Sequence, residues 1–148
     1  MGGDSKIAIR KILVGTDFSP HSDKAIEYAV EIARQFGSKI VLVHVIESFA
    51  YSLTDSMTVV GHEKALSATA SALLENQRKR LVETGVSVKS VLADGSPYRE
   101  MTKKAEDEGV DLIVVGTHGR SGMEHLLIGS VAEKLVRLAS CPVLTVRS

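Results

Sequence analysis

Residues 114–131, VVGTHGRSGMEHLLIGSV, decide the fold of this chain. They begin inside a short apolar run, residues 111–115, which is typical of a parallel strand covered on both faces. They lead into residues 130–139, where apolar side chains recur at helical spacing on one side: Val131, Leu135 and Leu138. The glycines between these two segments are therefore predicted to lie in a loop that joins a strand to a helix.

A glycine-rich loop in this position suits the binding of phosphate. Glycine has no Cβ, so its backbone N–H groups can approach an anion closely. The helix that follows adds unpaired N–H groups and a partial charge of roughly +0.5. An arginine in the loop supplies a mobile positive charge, and a histidine supplies a further donor. The residues predicted to contact phosphate are Gly116, His118, Gly119, Arg120, Gly129 and Ser130.

Each of these residues also has an ordinary structural explanation. Gly116 could end a strand in a simple turn, Ser130 could cap a helix, and Arg120 could be a solvated loop residue. Three glycines followed by a serine at the start of a helix favour anion binding over three unrelated local features.

The same spacing resembles that of a known family. Gly116, Gly119, Gly129 and Ser130 match the pattern of the nucleotide-binding branch of the universal stress protein family. The resemblance continues through ILVGTDFS, IVLVHVIE, GSPYREM and PVLTVR, and so covers nearly the whole chain. It implies a Rossmann-like sandwich of the adenine nucleotide hydrolase type, the strand order 3-2-1-4-5 and ATP as the ligand. It also implies a homodimer that pairs the last strands, residues 142–147, antiparallel.

The rest of the chain alternates strands with helices. Glycines placed just ahead of strands predict the ends of three helices, at Gly37, Gly85 and Gly109. This alternation predicts a single α/β domain over residues 1–148, with five parallel strands covered by four helices. Strands are predicted at 9–15, 39–46, 86–92, 111–115 and 142–147, and helices from an N-cap at Ser22 to Phe36, at 63–84, from an N-cap at Ser96 to Gly109, and at 130–139. Residues 48–60 show no convincing period.

Ligands of such folds bind at the carboxyl ends of the strands, near the reversal in strand order. With the order that the resemblance implies, Thr16 and Asp17 face the glycine loop across one crevice. The Asp17 carboxylate can accept from ribose or an adenine amine, or else bond to nearby backbone in its TDFSP turn. The resemblance places Asp17 at the nucleoside end and the main chain of Val45 against adenine. The predicted site is completed by neighbours of these residues: Gly15, Val115 and Val131.

Other kinds of site fit the sequence less well. The chain has no P-loop pattern, and TDFSPHSD lacks the glycines that a dinucleotide or flavin site carries after its first strand. The histidines show no metal-ligand spacing, and His44 is predicted to be a hydrogen-bonded core residue. A Mg²⁺ or Mn²⁺ ion held by nucleotide phosphates and water needs few protein ligands and fits the predicted site. Many nucleotide-binding relatives carry proline or another residue at the position of Gly15, so the adenine edge is expected to differ in shape.

Composition excludes several classes of partner. In 148 residues, 18 Lys and Arg balance 18 Asp and Glu, so no global field attracts nucleic acid or a membrane surface. The N-terminus lacks the uninterrupted apolar core of a signal peptide, and no segment is long enough to span a bilayer. The single cysteine, Cys141, is predicted to be a buried small side chain. These features predict a cytoplasmic protein without nucleic acid or membrane partners.

The candidate bases for catalysis are few. Asp17 is assigned to the nucleoside end, His118 has no defined orientation, and the chain has no Gly-x-Ser-x-Gly pattern. The sequence therefore predicts an ATP-binding switch or stress-response regulator that is at most a slow ATPase. The alternative is a dimeric interaction module of the same fold that binds no nucleotide.

Overall fold

The computed structural model describes residues 6–47, 56–118 and 128–147, without the side chains of 56–60, 62 and 63. Strands and helices alternate along these residues, and the predicted type and order of every element is confirmed. The elements are β1 (Lys11–Gly15), α1 (Pro20–Phe36), β2 (Lys39–Ile46), α2 (Ser56–Val82), β3 (Ser87–Asp94), α3 (Pro97–Glu108), β4 (Leu112–Gly116), α4 (Ser130–Leu138) and β5 (Val143–Val146).

The strands form one parallel sheet in the order β3-β2-β1-β4-β5, which confirms the predicted order. Gly15 at the end of β1 is in register with Val43 of β2, and Val14 is in register with Val114 of β4. The carboxyl ends of β1, β2 and β4 therefore meet at one edge of the sheet. The order reverses between β1 and β4, so this edge is where a ligand crevice is expected.

Two apolar layers cover the sheet. On one face, α1 and the Leu74 side chain of α2 pack against residues such as Leu42, and on the other face α3 and α4 pack against residues such as Val43. The predicted apolar face of α1 is buried throughout: Ala25, Ile26, Ala29, Val30 and Ala33. On α4 the prediction is partly wrong, because Leu135 is fully buried whereas Leu138, the last helical residue, is 57% exposed.

Three glycines end helices as predicted. Gly37 and Gly109 adopt left-handed backbone conformations, with φ of 68° and 65°, and donate hydrogen bonds to carbonyls of the preceding turn. α2 ends at Val82, two residues earlier than predicted, and Gly85, with a φ of 94°, is the third residue after that end. These glycines place the turns between helices and strands at the edge of the sheet opposite to the ligand crevice.

Several boundaries differ from the prediction. α2 begins at Ser56 and not at 63, so part of the aperiodic stretch 48–60 is helical, and residues 48–55 lie outside the described residues. A helix extends at little cost once it has formed, so a segment need not show its own apolar period to be helical. β1 begins two residues later than predicted, and β3 and β4 are shifted toward their carboxyl ends.

Two further findings concern Cys141 and the membrane. Cys141 was predicted to be buried, but its side chain is only partly buried. It packs against the α3 and α4 layer. This burial raises the pKa of the thiol, and the charge of Asp111 adds to the effect. Within the described ranges, no helix has both the length and the apolar character needed to cross a membrane.

The N-cap of α1 is Ser19 and not Ser22 as predicted. The Ser19 side chain accepts a hydrogen bond from the Ser22 N–H at 3.3 Å, and Ser22 is buried inside the first turn. Pro20 at the first helical position explains the difference, since proline suits that position and fixes the cap one residue before it.

Replacing Ser19 with alanine is expected to lower the free energy of unfolding by about 1 kcal/mol, because the cap hydrogen bond is lost. Ser96→Ala is the matched control. Ser96 occupies the N-cap position of α3 but makes no side-chain cap hydrogen bond, so its removal should have little effect. Urea unfolding of both variants measures the difference, and equal losses would contradict the assignment of the cap.

Candidate functional site

A cavity of about 670 Å³ opens at the carboxyl ends of β1, β2 and β4. This volume is typical of sites that hold a small molecule or cofactor. Ten of the twelve residues predicted from the sequence line it: Gly15, Thr16, Asp17, Val45, Val115, Gly116, His118, Gly129, Ser130 and Val131. The other two, Gly119 and Arg120, lie outside the described residues.

The turn after β1 forms one wall of this cavity. The Thr16 N–H donates to the Val43 carbonyl at 2.8 Å, which keeps the chain in line with β2 for one residue beyond the strand. The Phe18 N–H donates to Thr16 Oγ1 at 3.0 Å, and the Ser19 N–H donates to Asp17 Oδ1 at 2.9 Å. Asp17 thus makes the local backbone hydrogen bond that the sequence left open as an alternative, while it also lines the cavity.

Phe18 has a left-handed backbone conformation, with a φ of 63°. A residue other than glycine in this region costs about 1–3 kcal/mol, and such strain is concentrated at ligand-binding turns. The Phe18 ring lies 4.5 Å from the ring of His44, measured between centroids. Sequence patterns did not identify Phe18, because a backbone angle imposed by tertiary packing leaves no periodic signal.

His44 is hydrogen-bonded, as predicted, but it is not a core residue. Its Nδ1 lies 2.7 Å from the Thr16 carbonyl oxygen, and its partly buried ring lines the cavity. A carbonyl oxygen only accepts, so Nδ1 carries the proton in this hydrogen bond. The imidazole therefore connects β2 to the turn after β1, and Nε2 of the neutral ring is a hydrogen-bond acceptor.

Gly116 and Gly129 stand where a side chain would collide with backbone. A Cβ on Gly129 would lie 2.8 Å from the Thr117 carbonyl oxygen, and a Cβ on Gly116 would lie 3.1 Å from the His21 carbonyl oxygen. The Gly129 N–H donates to the Thr117 carbonyl at 2.6 Å. The Gly129 contacts hold the residue after β4 against the start of α4, and Gly116 lets β4 end close to the first turn of α1.

The start of α4 faces the cavity. Gly129 occupies the N-cap position, so Ser130 is the first helical residue and not the cap. The first helical hydrogen bond runs from the Glu133 N–H to the Gly129 carbonyl at 3.0 Å. The N–H groups of Ser130, Val131 and Ala132 precede this bond, and all three residues line the cavity. A helix start in this arrangement attracts an anion.

Met101 of α3 determines the shape of the cavity beside Gly15. A Cβ on Gly15 would lie 2.7 Å from the terminal methyl carbon of Met101, so the methionine fills space that a side chain on residue 15 would need. Met101 is buried and lines the cavity. One sign of this contact in the sequence was the absence of proline at residue 15, but no pattern identified Met101 as the partner.

His118 lies at the β4 side of the cavity. Its Nδ1 is 3.0 Å from Thr117 Oγ1, and its ring centroid is 6.0 Å from that of His21. Among the residues that the structure describes, no group of three or more His, Cys, Asp or Glu side chains is placed to hold a metal ion.

Comparisons with known proteins agree with this architecture. The sequence profile of the universal stress protein family matches residues 8–147. The chain belongs to the universal stress protein family. Universal stress protein MJ0577 of Methanocaldococcus jannaschii is 31% identical in an alignment of 156 positions that spans 95% of this chain and 96% of that protein. Universal stress protein YxiE of Bacillus subtilis is 34% identical over 145 residues, 93% of this chain and 98% of its own.

Solved structures of universal stress proteins share the fold. The structure of MJ0577 superposes with a TM-score of 0.87 at 32% identity, and the superposition covers 96% of this chain and 98% of the MJ0577 chain. A universal stress protein in complex with cAMP superposes with a TM-score of 0.72 at 25% identity, over 95% of this chain and 98% of its own. The family therefore includes a protein of this fold that binds an adenine nucleotide.

Proposed function

We propose that this chain is an ATP-binding universal stress protein, in which bound nucleotide biases a conformation or a partner interaction during the stress response. The observation that carries the proposal is the convergence of the predicted residues on one cavity that also contains the start of α4. The cAMP complex of a family member supports the choice of an adenine nucleotide.

The phosphates of ATP belong at the α4 end of the cavity. There the N–H groups of the first helical turn and the helix dipole favour negative charge, and Gly116 and Gly129 let the end of β4 and the start of α4 pack closely around this position. The ribose and adenine belong near Asp17 and Val45, which follow β1 and lie near the end of β2, across the cavity mouth from the phosphates. A Mg²⁺ or Mn²⁺ ion would be held by the phosphates and water.

The described residues favour binding over turnover. A hydrolase needs a base that directs water at the terminal phosphate. Asp17 Oδ1 accepts from the Ser19 N–H, and His118 Nδ1 contacts Thr117 Oγ1, so both candidate bases are held by local structural contacts. We therefore propose at most a slow ATPase.

Calorimetric titration of ATP, with and without Mg²⁺, into protein stripped of nucleotide tests the proposal. One saturable site per chain, together with a turnover well below about 1 per second, is the expected result. Turnover at or above that rate would show that the protein is an enzyme and would contradict the proposed switch. Absence of binding would favour the alternative, a dimeric interaction module that binds no nucleotide.

We also propose that the protein forms a homodimer through β5. β5 is the edge strand next to β4, and no other strand of the described residues pairs with its outer side. The Pro142 carbonyl accepts from Ile113 of β4, and the Val146 carbonyl accepts from Thr117 just after β4. In a parallel ladder the N–H groups of Val143 and Thr145 therefore point away from β4. The apolar side chains of Val136 and Leu138, on the neighbouring α4, are 54% and 57% exposed.

Replacing Thr145 with proline is expected to convert the dimer to a monomer, because it removes an outward donor and leaves the β4 ladder intact. Thr145→Val keeps the backbone N–H and is the matched control. Light scattering at micromolar concentration measures the mass of each variant. A monomeric wild type, or a dimeric proline variant, would contradict pairing through this edge.

A further inference from the structure

The cavity extends over both faces of the sheet. Val43 belongs to the layer that faces α3 and α4, while Leu42 belongs to the layer that faces α1 and α2. Side chains alternate along a strand, so Val45 faces the α3 and α4 side and His44 faces the α1 and α2 side. Val43, His44 and Val45 line the cavity, so residues from both faces of the sheet contribute to it. The proposed nucleotide site uses the α3 and α4 side and the mouth between the faces.

The other side forms what we call the α2 compartment, lined by Phe18, His44, Ile46, Leu66, Ala70 and Leu73. Leu66, Ala70 and Leu73 are spaced by four and three residues along α2, so they project from one face of the helix. Leu66 and Leu73 are 44% and 43% exposed although they line this cavity. The apolar face of α2 thus borders a space that none of the described residues, 6–47, 56–118 and 128–147, fills.

Polar groups in the α2 compartment are few and mostly engaged. Ser22 Oγ donates to the carbonyl of the N-cap residue Ser19 at 2.9 Å, and Thr69 Oγ1 donates to the Ala65 carbonyl at 3.0 Å, so both hydroxyl protons are engaged by nearby backbone. His44 Nδ1 donates to the Thr16 carbonyl at 2.7 Å, which leaves Nε2 of the neutral imidazole as an acceptor for a ligand. The compartment suits an apolar body with one hydrogen-bond donor.

We propose that the α2 compartment binds a small, mainly apolar molecule that carries a single hydroxyl or amine donor, at the same time as a nucleotide occupies the other side. Apolar walls with a few convergent polar groups are the usual composition of a small-molecule site. The statement that both ligands bind together rests on the proposed function, whereas the binding of the apolar molecule does not.

Fluorescence titration with 2-naphthol tests the proposal. This probe is an apolar bicyclic molecule with one O–H donor, and the chain contains no tryptophan to interfere with its emission. Leu73→Gln is expected to weaken its binding at least tenfold, and Leu66→Gln gives a second, independent variant. Val82→Gln is the matched control, because Val82 lies on the same helix and is also 43% exposed but does not line the cavity.

The ligand chemistry is tested by 2-methoxynaphthalene, which keeps the ring and the oxygen but lacks the donor. It is expected to bind several-fold more weakly than 2-naphthol to wild type and about equally to His44→Leu. Saturating ATP is expected to leave one equivalent of 2-naphthol bound per chain.

Three results would overturn the proposal: no saturable 2-naphthol binding, equal losses in Leu73→Gln and Val82→Gln, or displacement of the probe by ATP. Failure of the proposed function gives a different pattern. In that case ATP shows no binding, while 2-naphthol still binds wild type and is weakened by Leu73→Gln. If ATP binds and 2-naphthol does not, only the α2 compartment is rejected.

Discussion

Gly129→Ala is expected to weaken ATP binding by about tenfold or more. The new Cβ would lie 2.8 Å from the Thr117 carbonyl oxygen, closer than real Cβ contacts allow, and a backbone atom cannot rotate away as a side chain can. The clash is relieved only by separating the start of α4 from the end of β4. Overpacking of this kind costs about 1–3 kcal/mol. It also moves the helical N–H groups away from the position proposed for phosphate.

The conformation of Gly129 makes this variant informative. Its φ is −58°, which alanine adopts without strain, so any effect comes from the contact and not from backbone angles. Gly61→Ala is the control, because nothing lies within 4 Å of a Cβ built on Gly61. Titration calorimetry on both variants gives the affinities. Unchanged ATP affinity in Gly129→Ala would contradict phosphate binding at the start of α4.

Leu135→Ala is expected to lower the free energy of unfolding by about 2–5 kcal/mol. Leu135 is fully buried between α4 and the sheet, so truncation removes apolar contacts and leaves a cavity. Leu138→Ala makes the same chemical change on the same helix, at a residue that is 57% exposed, and should cost far less.

Urea unfolding of the two leucine variants at one protein concentration gives the comparison, with nucleotide removed so that binding does not alter the apparent stability. Comparable losses would show that the helix packs by a different face. If the proposed dimer involves Leu138, repeating the unfolding at several protein concentrations shows a midpoint that depends on concentration, which separates the dimer contact from packing within the chain.

Local patterns were sufficient to predict the type and order of the helices and strands. Continuous apolar runs, helical periods and the glycines Gly37 and Gly109 define where strands and helices alternate, and the short chain leaves room for one parallel sheet. The strand order was implied by family resemblance, and the structure confirms it. The convergence of Thr16 and Gly116 on one cavity follows from that order, because it makes β1 and β4 neighbours.

The features that sequence patterns missed depend on tertiary contacts. Helical spacing placed Leu138 with Leu135, but spacing does not show where a helix extends past its sheet. Ser22 and Ser19 are equally good caps by residue type, and Pro20 decides between them. Met101 contacts Gly15 across 86 positions of sequence, a distance at which no periodic pattern carries information.

The turn after β1 links the two sides of the cavity. Thr16 and Asp17 line the side proposed for the nucleotide, and the next residue, Phe18, packs against His44 on the side of the α2 compartment. Because these residues are consecutive, the ligands proposed for the two sides would contact the same short segment, in which Phe18 has a strained backbone conformation. This arrangement is a physical basis for the switch proposed above.

The most direct test of the central proposal is to follow glycine amide signals by NMR while ATP is added to stripped, ¹⁵N-labelled protein. Gly15, Gly116 and Gly129 lie at the proposed site, and their amides should shift together and saturate with one ATP per chain. The amides of Gly37 and Gly109, at the opposite edge of the sheet, should stay unchanged. Shifts confined to the opposite edge, or no shifts at saturating ATP, would contradict nucleotide binding in this cavity.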